Sequence, residues 1–454
     1  MSSTEPSFPS SLRRVSVVGL GKLGAPLAVC LAYKGYQVVG VDLDGSKREL
    51  FSKGIPPTFE PGLRELLQSV RGKLTVTDNY EEAVENSDAT FILVPTPSDD
   101  RGTFSLRYVV PACERIGNAL RRKPAFHLVV LTSTVLPTMT ENEVKPVLEA
   151  SSGKRCGVEF GLCYNPEFVS LGSVVRDLLC PDFILIGQSD TYSGDILASL
   201  YKQLCENNAP IARMNFVNAE LTKLAVNTFV TTKITFANML ARICERLPGA
   251  NVDMVTSALG MDSRIGGKYL KGAIGYGGPC FPRDNAALAF LGRLVGSPAT
   301  LAEATDGANR QGVHQLVEIV KSRLTKDGVI GILGLTYKTN TDVVEESQGL
   351  LLAQSLMAEG FSVAVYDPAG MRNAKAVLNS CAIFTDSAQH CIQLADVVVL
   401  TTPWEEFSNL PPQAFFRKES RRVLVDCWRV LNPENFKEVV EYLPLGIGDE
   451  VAER

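Results

Sequence analysis

The chain has 454 residues, 45% of them hydrophobic and 21% charged, an ordinary globular balance that excludes a disordered, collagen-like or coiled-coil protein. At about 150 residues per domain there is room for about three domains. Forty-five basic against 50 acidic residues give a net charge of −5, so there is no broad cationic field for nucleic acid or anionic lipid, and anionic ligands need local basic groups.

Met1 to Arg14 is polar and Ser/Pro-rich and reads as a flexible leader, neither signal peptide nor anchor. No stretch approaches the roughly 18 apolar residues of a membrane span, so a soluble protein is expected, with neither membrane nor nucleic acid as a partner. Eleven cysteines, an odd number without CxxC spacing, point to reduced thiols in the cytoplasm. His127, His314 and His390 lie in separate segments without metal-ligand spacing; each reads as structural, with no metal site and no His-based hydrolase triad.

Val15 to Val18, Val38 to Val41, Thr90 to Val94, Leu128 to Leu131 and Phe183 to Ile186 are the clearest strands, alternating with longer helical stretches as far as Gly187. That is the pattern of βα units around a parallel sheet covered on both faces. Gly19-Leu20-Gly21-Lys22-Leu23-Gly24 directly follows the first strand and opens a helix. Its glycines permit a tight turn, close approach to a pyrophosphate and packing of helix on sheet. Asp42 ends the next strand, 18 residues beyond Gly24, where a carboxylate can accept both ribose hydroxyls and would repel a 2′-phosphate. NAD is therefore favoured over NADP, against the competing reading of a glycine turn that binds nothing and an Asp42 that only caps.

Glu167, in the loop Tyr164-Asn165-Pro166-Glu167-Phe168, is uninformative alone. After Ala219 a helical run of about 29 residues, ~43 Å, extends through Leu247. Leu240, Ile243, Cys244 and Leu247 follow the spacing of a buried face in it. A helix this long spans between domains or between subunits. Lys223 and Asn227 share one helical face in the apolar stretch Leu221 to Val230, where a lysine either snorkels to water or serves a site.

The most unusual local sequence is Gly275-Tyr276-Gly277-Gly278-Pro279-Cys280-Phe281-Pro282-Arg283-Asp284. Its glycines let backbone pass close to a ligand, and Pro282 suits the first turn of a helix Arg283 to Leu294. Cys280 then lies near a helix N-terminus beside Arg283, a setting that favours thiolate and makes it a candidate nucleophile. The other ten cysteines read as small buried apolar groups. Val313, Leu316, Val317, Val320 and Leu324 mark a further amphipathic helix closed by Gly328.

Beyond it a second α/β series echoes the first. Ile330 to Leu333 followed by Gly334 matches Val15 to Val18 followed by Gly19, and Ala364-Val365-Tyr366-Asp367 matches Val39-Gly40-Val41-Asp42. Asp396, Val397 to Leu400 and Thr402-Pro403 match Asp88, its strand and Thr96-Pro97. The expected fold is α/β, two doubly wound Rossmann-like domains joined by a central long-helix region, with two nucleotide-like ligands meeting in a cleft.

Taken together these residues resemble the nucleotide-sugar 6-dehydrogenases and, within that family, the UDP-glucose dehydrogenases. The resemblance runs from Val15 to about Leu431. It rests on 275 to 284, Asp262-Ser263-Arg264-Ile265-Gly266, Glu220-Leu221-Thr222-Lys223-Leu224-Ala225-Val226-Asn227, Asn165-Pro166-Glu167-Phe168, Gly334-Leu335-Thr336-Tyr337-Lys338, Ser133-Thr134-Val135 and Glu60-Pro61-Gly62-Leu63. It implies a leader at 1–14, an NAD-binding domain at 15–213, a central helical dimerisation domain carrying the cysteine loop at 214–310, and a nucleotide-sugar domain at 311–454. It also implies a homodimer or higher homo-oligomer.

The implied reaction takes CH₂OH to aldehyde to acid at one carbon, with two NAD⁺ reduced in succession. Cys280, Lys223, Asn227, Asp284, Glu167 and Thr134 are the implied catalytic residues. Cys280 forms a thiohemiacetal and then a thioester; Lys223 stabilises oxyanion character or assists proton removal, and Asn227 lies near the oxyanion. Asp284 and Glu167 are both candidates for the hydrolytic base, and Asp284 also reads as an ordinary first-turn carboxylate. NAD is implied to meet Gly19, Gly21, Lys22, Leu23, Gly24, Asp42, Lys47, Thr96 and Thr134. The nucleotide sugar is implied to meet Phe168, Lys223, Asn227, Tyr269, Lys271, Tyr276, Gly277, Phe281 and Lys338, with Arg264 reaching the neighbouring subunit's site.

Three places depart from the family pattern. Glu345-Glu346-Ser347-Gln348 stands where many relatives have Arg-Glu-Ser-Pro, Ser170-Leu171 replaces a charged pair, and Asp426-Cys427-Trp428-Arg429 replaces Asp-Gly-Arg. UDP-glucose leads as substrate, with dTDP-glucose, UDP-N-acetylhexosamines and GDP-mannose as alternatives. A two-electron NAD dehydrogenase and a noncatalytic nucleotide-sensing module are the readings from other classes.

Overall fold

A computed structural model of the chain describes residues 12–99, 101–324, 328–418 and 420–449. Most of the expected leader lies outside these residues. Its end does not fray: the main-chain N–H groups of Arg13 and Arg14 donate to Asp88 Oδ2, each at 3.1 Å, and Arg14 opens the first strand.

The chain forms two units, 1–224 and 225–454. The first holds eight strands: β1 Arg14–Val18, β2 Gln37–Val41, β3 Leu74–Thr77, β4 Ala89–Ile92, β5 His127–Leu131, β6 Phe160–Tyr164, β7 Ile184–Gln188 and β8 Ile211–Met214. Their order is β3-β2-β1-β4-β5-β6-β7-β8. All five residues of β5 and of β6 are buried, as strands must be when helices cover both faces. The winding reverses between β1 and β4, the position at which doubly wound sheets take ligands. The expectation of a parallel sheet needs one correction: β6 and β7 pair antiparallel, Cys163 opposite Gln188.

The second unit repeats the winding with β9 Val329–Leu333, β10 Ser362–Tyr366, β11 Ile383–Phe384, β12 Val397–Leu400, β13 Arg422–Asp426 and β14 Val440–Pro444. The order is β11-β10-β9-β12-β13-β14, all parallel. The echo extends to stereochemistry. Gly19 and Gly334 both have positive φ, 91° and 109°. A Cβ on Gly24 would run into the Gly19 carbonyl, and one on Gly349 into that of Gly334. Each unit thus brings the start of a helix onto a glycine turn, where any side chain would prevent the approach.

A helix of 29 residues, Phe216–Cys244, carries the boundary between the units. In the second unit it buries Asn227, Thr228 and Thr231 and, further on, Ala237, Asn238, Ala241 and Cys244. The expected face was misplaced, since Ile243 and Leu247 are 46% and 52% exposed. The helix expected around Val313 begins earlier, spanning Thr300–Lys321. Its first half buries Ala302, Thr305 and Asn309, residues too small or polar to register as an apolar stripe.

His127 is structural, as expected. It sits at 0% exposure in a polar thread through the first sheet: Lys123 Nζ donates to His127 Nδ1 at 2.9 Å, and His127 Nε2 lies 2.7 Å from Thr90 Oγ1. Thr90 Oγ1 in turn is 2.7 Å from Ser16 Oγ. The eleven cysteines form no disulfide among the described residues. No helix among them is long and apolar enough to cross a membrane.

Candidate functional site

The glycine turn after β1 divides its labour among three positions. Gly19 N–H donates to Val41 O at 2.7 Å, and a Cβ here would meet the Leu93 carbonyl, so this glycine serves the crossing of adjacent strands. Gly24 serves the helix start, Gly24–Tyr33. At Gly21 nothing lies within 4 Å of where a Cβ would be, which leaves its backbone open to a ligand at the N-terminus of that helix. Asp42 directly follows β2, with Oδ2 accepting from Leu20 N–H at 2.9 Å and Oδ1 from Asp44 N–H at 2.9 Å. Each carboxylate oxygen has two lone pairs, so Asp42 keeps acceptor capacity for ribose even with Lys47 Nζ 3.4 Å from Oδ2. Helix capping falls instead to Asp44. The turn and its carboxylate fit a dinucleotide. Lys22 is exposed and Leu23 half-buried beside it. Thr96 is buried, its Oγ1 donating to the Thr134 carbonyl at 2.8 Å, which ties two expected cofactor residues together.

Asp367, the counterpart of Asp42, is used differently. Its Oδ2 accepts from Leu335 N–H at 2.7 Å, Thr336 N–H at 2.9 Å and Thr336 Oγ1 at 2.9 Å, with Trp404 Nε1 at 3.2 Å. Oδ1 accepts from Ala369 and Gly370 N–H at 2.9 and 2.7 Å. At 1% exposure it has nothing left to offer a ribose.

A second cluster in the first unit gathers Glu167, Phe168 and Lys223. Lys223, 7% exposed, donates from Nζ to the Glu167 carbonyl oxygen at 2.6 Å and sits 4.6 Å from the centre of the Phe168 ring. It does not snorkel. The Glu167 carboxylate accepts from Tyr201 OH at 3.2 Å, and removal from water pushes it up to about 7, against the opposing pull of Tyr201 and Lys223. A carboxyl poised there can hold or release a proton at neutral pH.

Two glutamates from the family motifs brace this unit, a role the sequence alone did not disclose. Glu60 accepts from Gly172 N–H at 2.8 Å and Val174 N–H at 2.7 Å, pinning the loop that follows Phe168. Glu220, fully buried, accepts from Thr138 N–H at 2.7 Å and Thr140 N–H at 2.8 Å, holding the turn after Thr134. Thr138 has φ 82°, a conformation that side chains adopt only under such restraint.

In the second unit, Cys280 is exposed and occupies the N-cap of a 14-residue helix, Phe281–Leu294. One turn on, Asp284 is fully buried, accepting from Asn227 Nδ2 at 2.6 Å, with Arg283 Nε 3.3 Å from its other oxygen. Asp284 is thus more than a solvated first-turn carboxylate. Gly277 is buried; Phe281 is half-buried, its ring edge-on to Tyr276 at 6.1 Å.

Tyr276, expected beside the nucleotide, is held within its own loop. The ring is 4% exposed and the hydroxyl accepts from Asn285 Nδ2 at 2.8 Å, so the side chain braces the loop from within. Arg264, its side chain 86% exposed, pairs with Asp262, while Tyr269 is 51% exposed and Lys271 exposed. Lys338 is half-buried, with Nζ 5.8 Å from the centre of the Tyr337 ring. Glu345 and Glu346 are exposed. Arg429 is a strut: it pairs with Asp253 at 2.7 Å and donates to the carbonyls of Leu445 and Gly272 at 2.6 and 2.5 Å.

Comparison with known proteins agrees along the chain. Three domain models of the UDP-glucose/GDP-mannose dehydrogenase family match: the NAD binding domain at 13–205, the central domain at 217–311 and the UDP binding domain at 331–433. The UDP-glucose 6-dehydrogenase of Haloferax volcanii is 35% identical over 92% of this chain and 97% of its own. The GDP-mannose 6-dehydrogenase of Pseudomonas syringae pv. tomato is 37% identical over 78% of this chain and 80% of its own. Among solved structures, a UDP-glucose dehydrogenase from Pyrobaculum islandicum superposes with a TM-score of 0.87 at 35% identity, covering 98% of each chain.

Proposed function

Because the chain belongs to the UDP-glucose/GDP-mannose dehydrogenase family, whose cofactor is NAD, we propose that it oxidises the C6 hydroxymethyl of a nucleotide sugar, UDP-glucose first among them, to the uronic acid. The observation that carries this reading is an exposed cysteine at a helix N-terminus, one turn before a buried aspartate that is hydrogen-bonded to Asn227. NAD⁺, when bound, accepts hydride from C6 in each of two oxidations. The first leaves an aldehyde as the hydroxyl proton departs, with Lys223 stabilising the alkoxide. Cys280 thiolate then forms a C–S bond to the aldehyde carbon, and the resulting oxyanion is held by Lys223 and Asn227. Loss of the second hydride gives a thioester. Water, deprotonated by Glu167 or Asp284, adds to that carbon; the C–S bond breaks, thiolate returns to Cys280 and the acid leaves.

In this reading the turn from Gly19 to Gly24, Asp42, Lys47, Thr96 and Thr134 hold NAD, and 15–213, 214–310 and 311–454 act as cofactor, dimerisation and sugar-nucleotide domains. The nucleotide sugar meets Phe168, Gly277, Phe281, Lys271, Tyr269 and Lys338. Support for a homodimer comes from the long helix, on which Phe229, Phe236, Met239 and Ile243 are all at least 40% exposed at spacings that return to one face. Arg264 then serves the partner subunit's site. The enzyme works in the cytoplasm, the compartment its unbridged thiols suit. GDP-mannose is the second substrate reading, favoured by the identity to a GDP-mannose 6-dehydrogenase.

The test is NADH formed per sugar consumed, with the product identified by mass, across purified UDP-, dTDP- and GDP-sugars. Two NADH and a uronic acid support the proposal and name the substrate. One NADH with a released aldehyde or ketone overturns it in favour of an ordinary two-electron dehydrogenase.

A further inference from the structure

Tyr276, four residues ahead of Cys280, has its N–H and its carbonyl both held by buried side chains. The N–H donates to Asn309 Oδ1 at 2.8 Å. The carbonyl accepts from Asn309 Nδ2 at 3.0 Å and from Gln348 Nε2 at 2.9 Å, which uses both of its lone pairs. Asn309 stands on the helix Thr300–Lys321, and Gln348 is the first residue of the helix Gln348–Ala358. The two carboxamides are 8% and 6% exposed and press on Gly275, where a Cβ would collide with both. The next residues of the loop lean on the same lead-in: Gly278 N–H donates to Glu345 O at 3.0 Å, and a Cβ on Gly277 would run into the Glu346 carbonyl.

Gln348's immediate neighbour, Gly349, touches the other feature of interest. Its backbone lies against the Gly334 carbonyl so closely that a Cβ would collide with it. Two consecutive residues at one helix start therefore contact the cysteine loop and the glycine turn after β9. Gln348 is also one of the two positions, with Glu345, at which this chain departs from the Arg-Glu-Ser-Pro run.

We propose that Gln348 is a positioning residue that couples the turn Gly334–Lys338 to the Cys280 loop, so that a nucleoside diphosphate held at the turn sets the placement of the thiol. The inference rests on Cys280 being the nucleophile. A displacement of the helix start passes through the Nε2–carbonyl bond into the Tyr276 peptide and along four residues to Cys280. Reaction at a misplaced nucleophile is slow, because an error of about 1 Å costs on the order of 10²-fold.

The test uses the full chain with Gln348→Met, which keeps bulk and removes the donor, and Gln348→Pro. Proline suits the first helical position, and Ser347 at φ −67°, ψ 135° already has the conformation preferred before proline. The rate of Cys280 alkylation by iodoacetamide is followed by mass with and without UDP, alongside UDP affinity, kcat and KM. In the parent, UDP changes the alkylation rate by about fivefold or more. In both variants UDP binds with affinity within about twofold of the parent, the alkylation response shrinks below about twofold, and kcat falls roughly 10- to 100-fold with KM nearly constant. A parental alkylation response in the variants, or no response in the parent, overturns the proposal. Failure of the nucleophile reading shows itself separately, as acid production that survives Cys280→Ala.

Discussion

Lys223 donates to the main-chain carbonyl of Glu167, at 2.6 Å, and the Glu167 carboxylate turns to Tyr201 OH at 3.2 Å. The carboxyl is thereby left to titrate near neutrality, pushed up to about 7 by its removal from water. If Glu167 is the base in thioester hydrolysis, the rate of acid formation rises through about pH 7 as the group ionises. Glu167→Gln then lowers kcat by about 10²-fold or more and flattens that limb of the profile, measured as kcat from pH 5.5 to 8.5. Stability runs the opposite way. A folded-state value above the unfolded value of 4.5 stabilises fully below 4.5 and loses that contribution as pH rises through 7, so Glu167→Gln gains stability relative to the parent above pH 7.

Cys280→Ala leaves NAD binding within about twofold of the parent and abolishes net acid formation, read by cofactor fluorescence titration and by mass of the product. In the proposed mechanism the thiol is the group on which the aldehyde is captured, so no oxyanion stabiliser replaces it. Undiminished uronic acid from this variant rules out the covalent route.

The proposal that Asp42 accepts the ribose hydroxyls makes it the determinant of cofactor choice. Because its carboxylate would face the 2′-phosphate of NADP⁺, kcat/KM for NAD⁺ exceeds that for NADP⁺ by about 10²-fold or more, and Asp42→Ala narrows the ratio mainly by weakening NAD⁺. Parity between the two cofactors in the parent rejects the assignment.

Lys123 gives a stability prediction remote from the chemistry. Burial pushes it down to about 8 from 10.5, while its ammonium donates to the carbonyls of Val84 and Ser87 and to His127. The unfolded chain holds this proton between pH 8 and 10.5 when the folded chain does not. Stability of the parent relative to Lys123→Met therefore rises with pH across that window, measured by urea unfolding at pH 7.5 and 10. A constant difference overturns the assignment of a depressed lysine.

The legible parts of this chain were those in which sequence spacing and backbone stereochemistry coincide. Gly19, Gly24 and Gly334 announce their turns because only glycine tolerates the positive φ or the close carbonyl. Cys280, Asp284, Lys223 and Asn227 stood out as polar or nucleophilic groups in apolar or glycine-rich settings. Glu60 and Glu220 did not, since a glutamate that accepts two main-chain N–H groups looks in sequence like any surface glutamate. Asn309 and Gln348 were hidden for the same reason. Ile243 and Leu247 misled because helical periodicity marks an apolar face without saying whether this chain or another surface covers it. The antiparallel pairing of β6 with β7 depends on the path between them, which burial patterns do not encode.

Asp42 and Asp367 stand at the same place in two copies of one winding, yet one carboxylate retains acceptor capacity and the other is closed off by Leu335, Thr336, Ala369, Gly370 and Trp404. The consequence is that the two turns are not interchangeable as seats for a ribose. A chain that must carry a dinucleotide and a sugar nucleotide at once, on halves of common design, needs a reason for each ligand to ignore the other's seat. The second half commits its carboxylate to its own turn, so with Asp42 as the proposed ribose acceptor NADH competes at the first turn and finds no equivalent acceptor at the second.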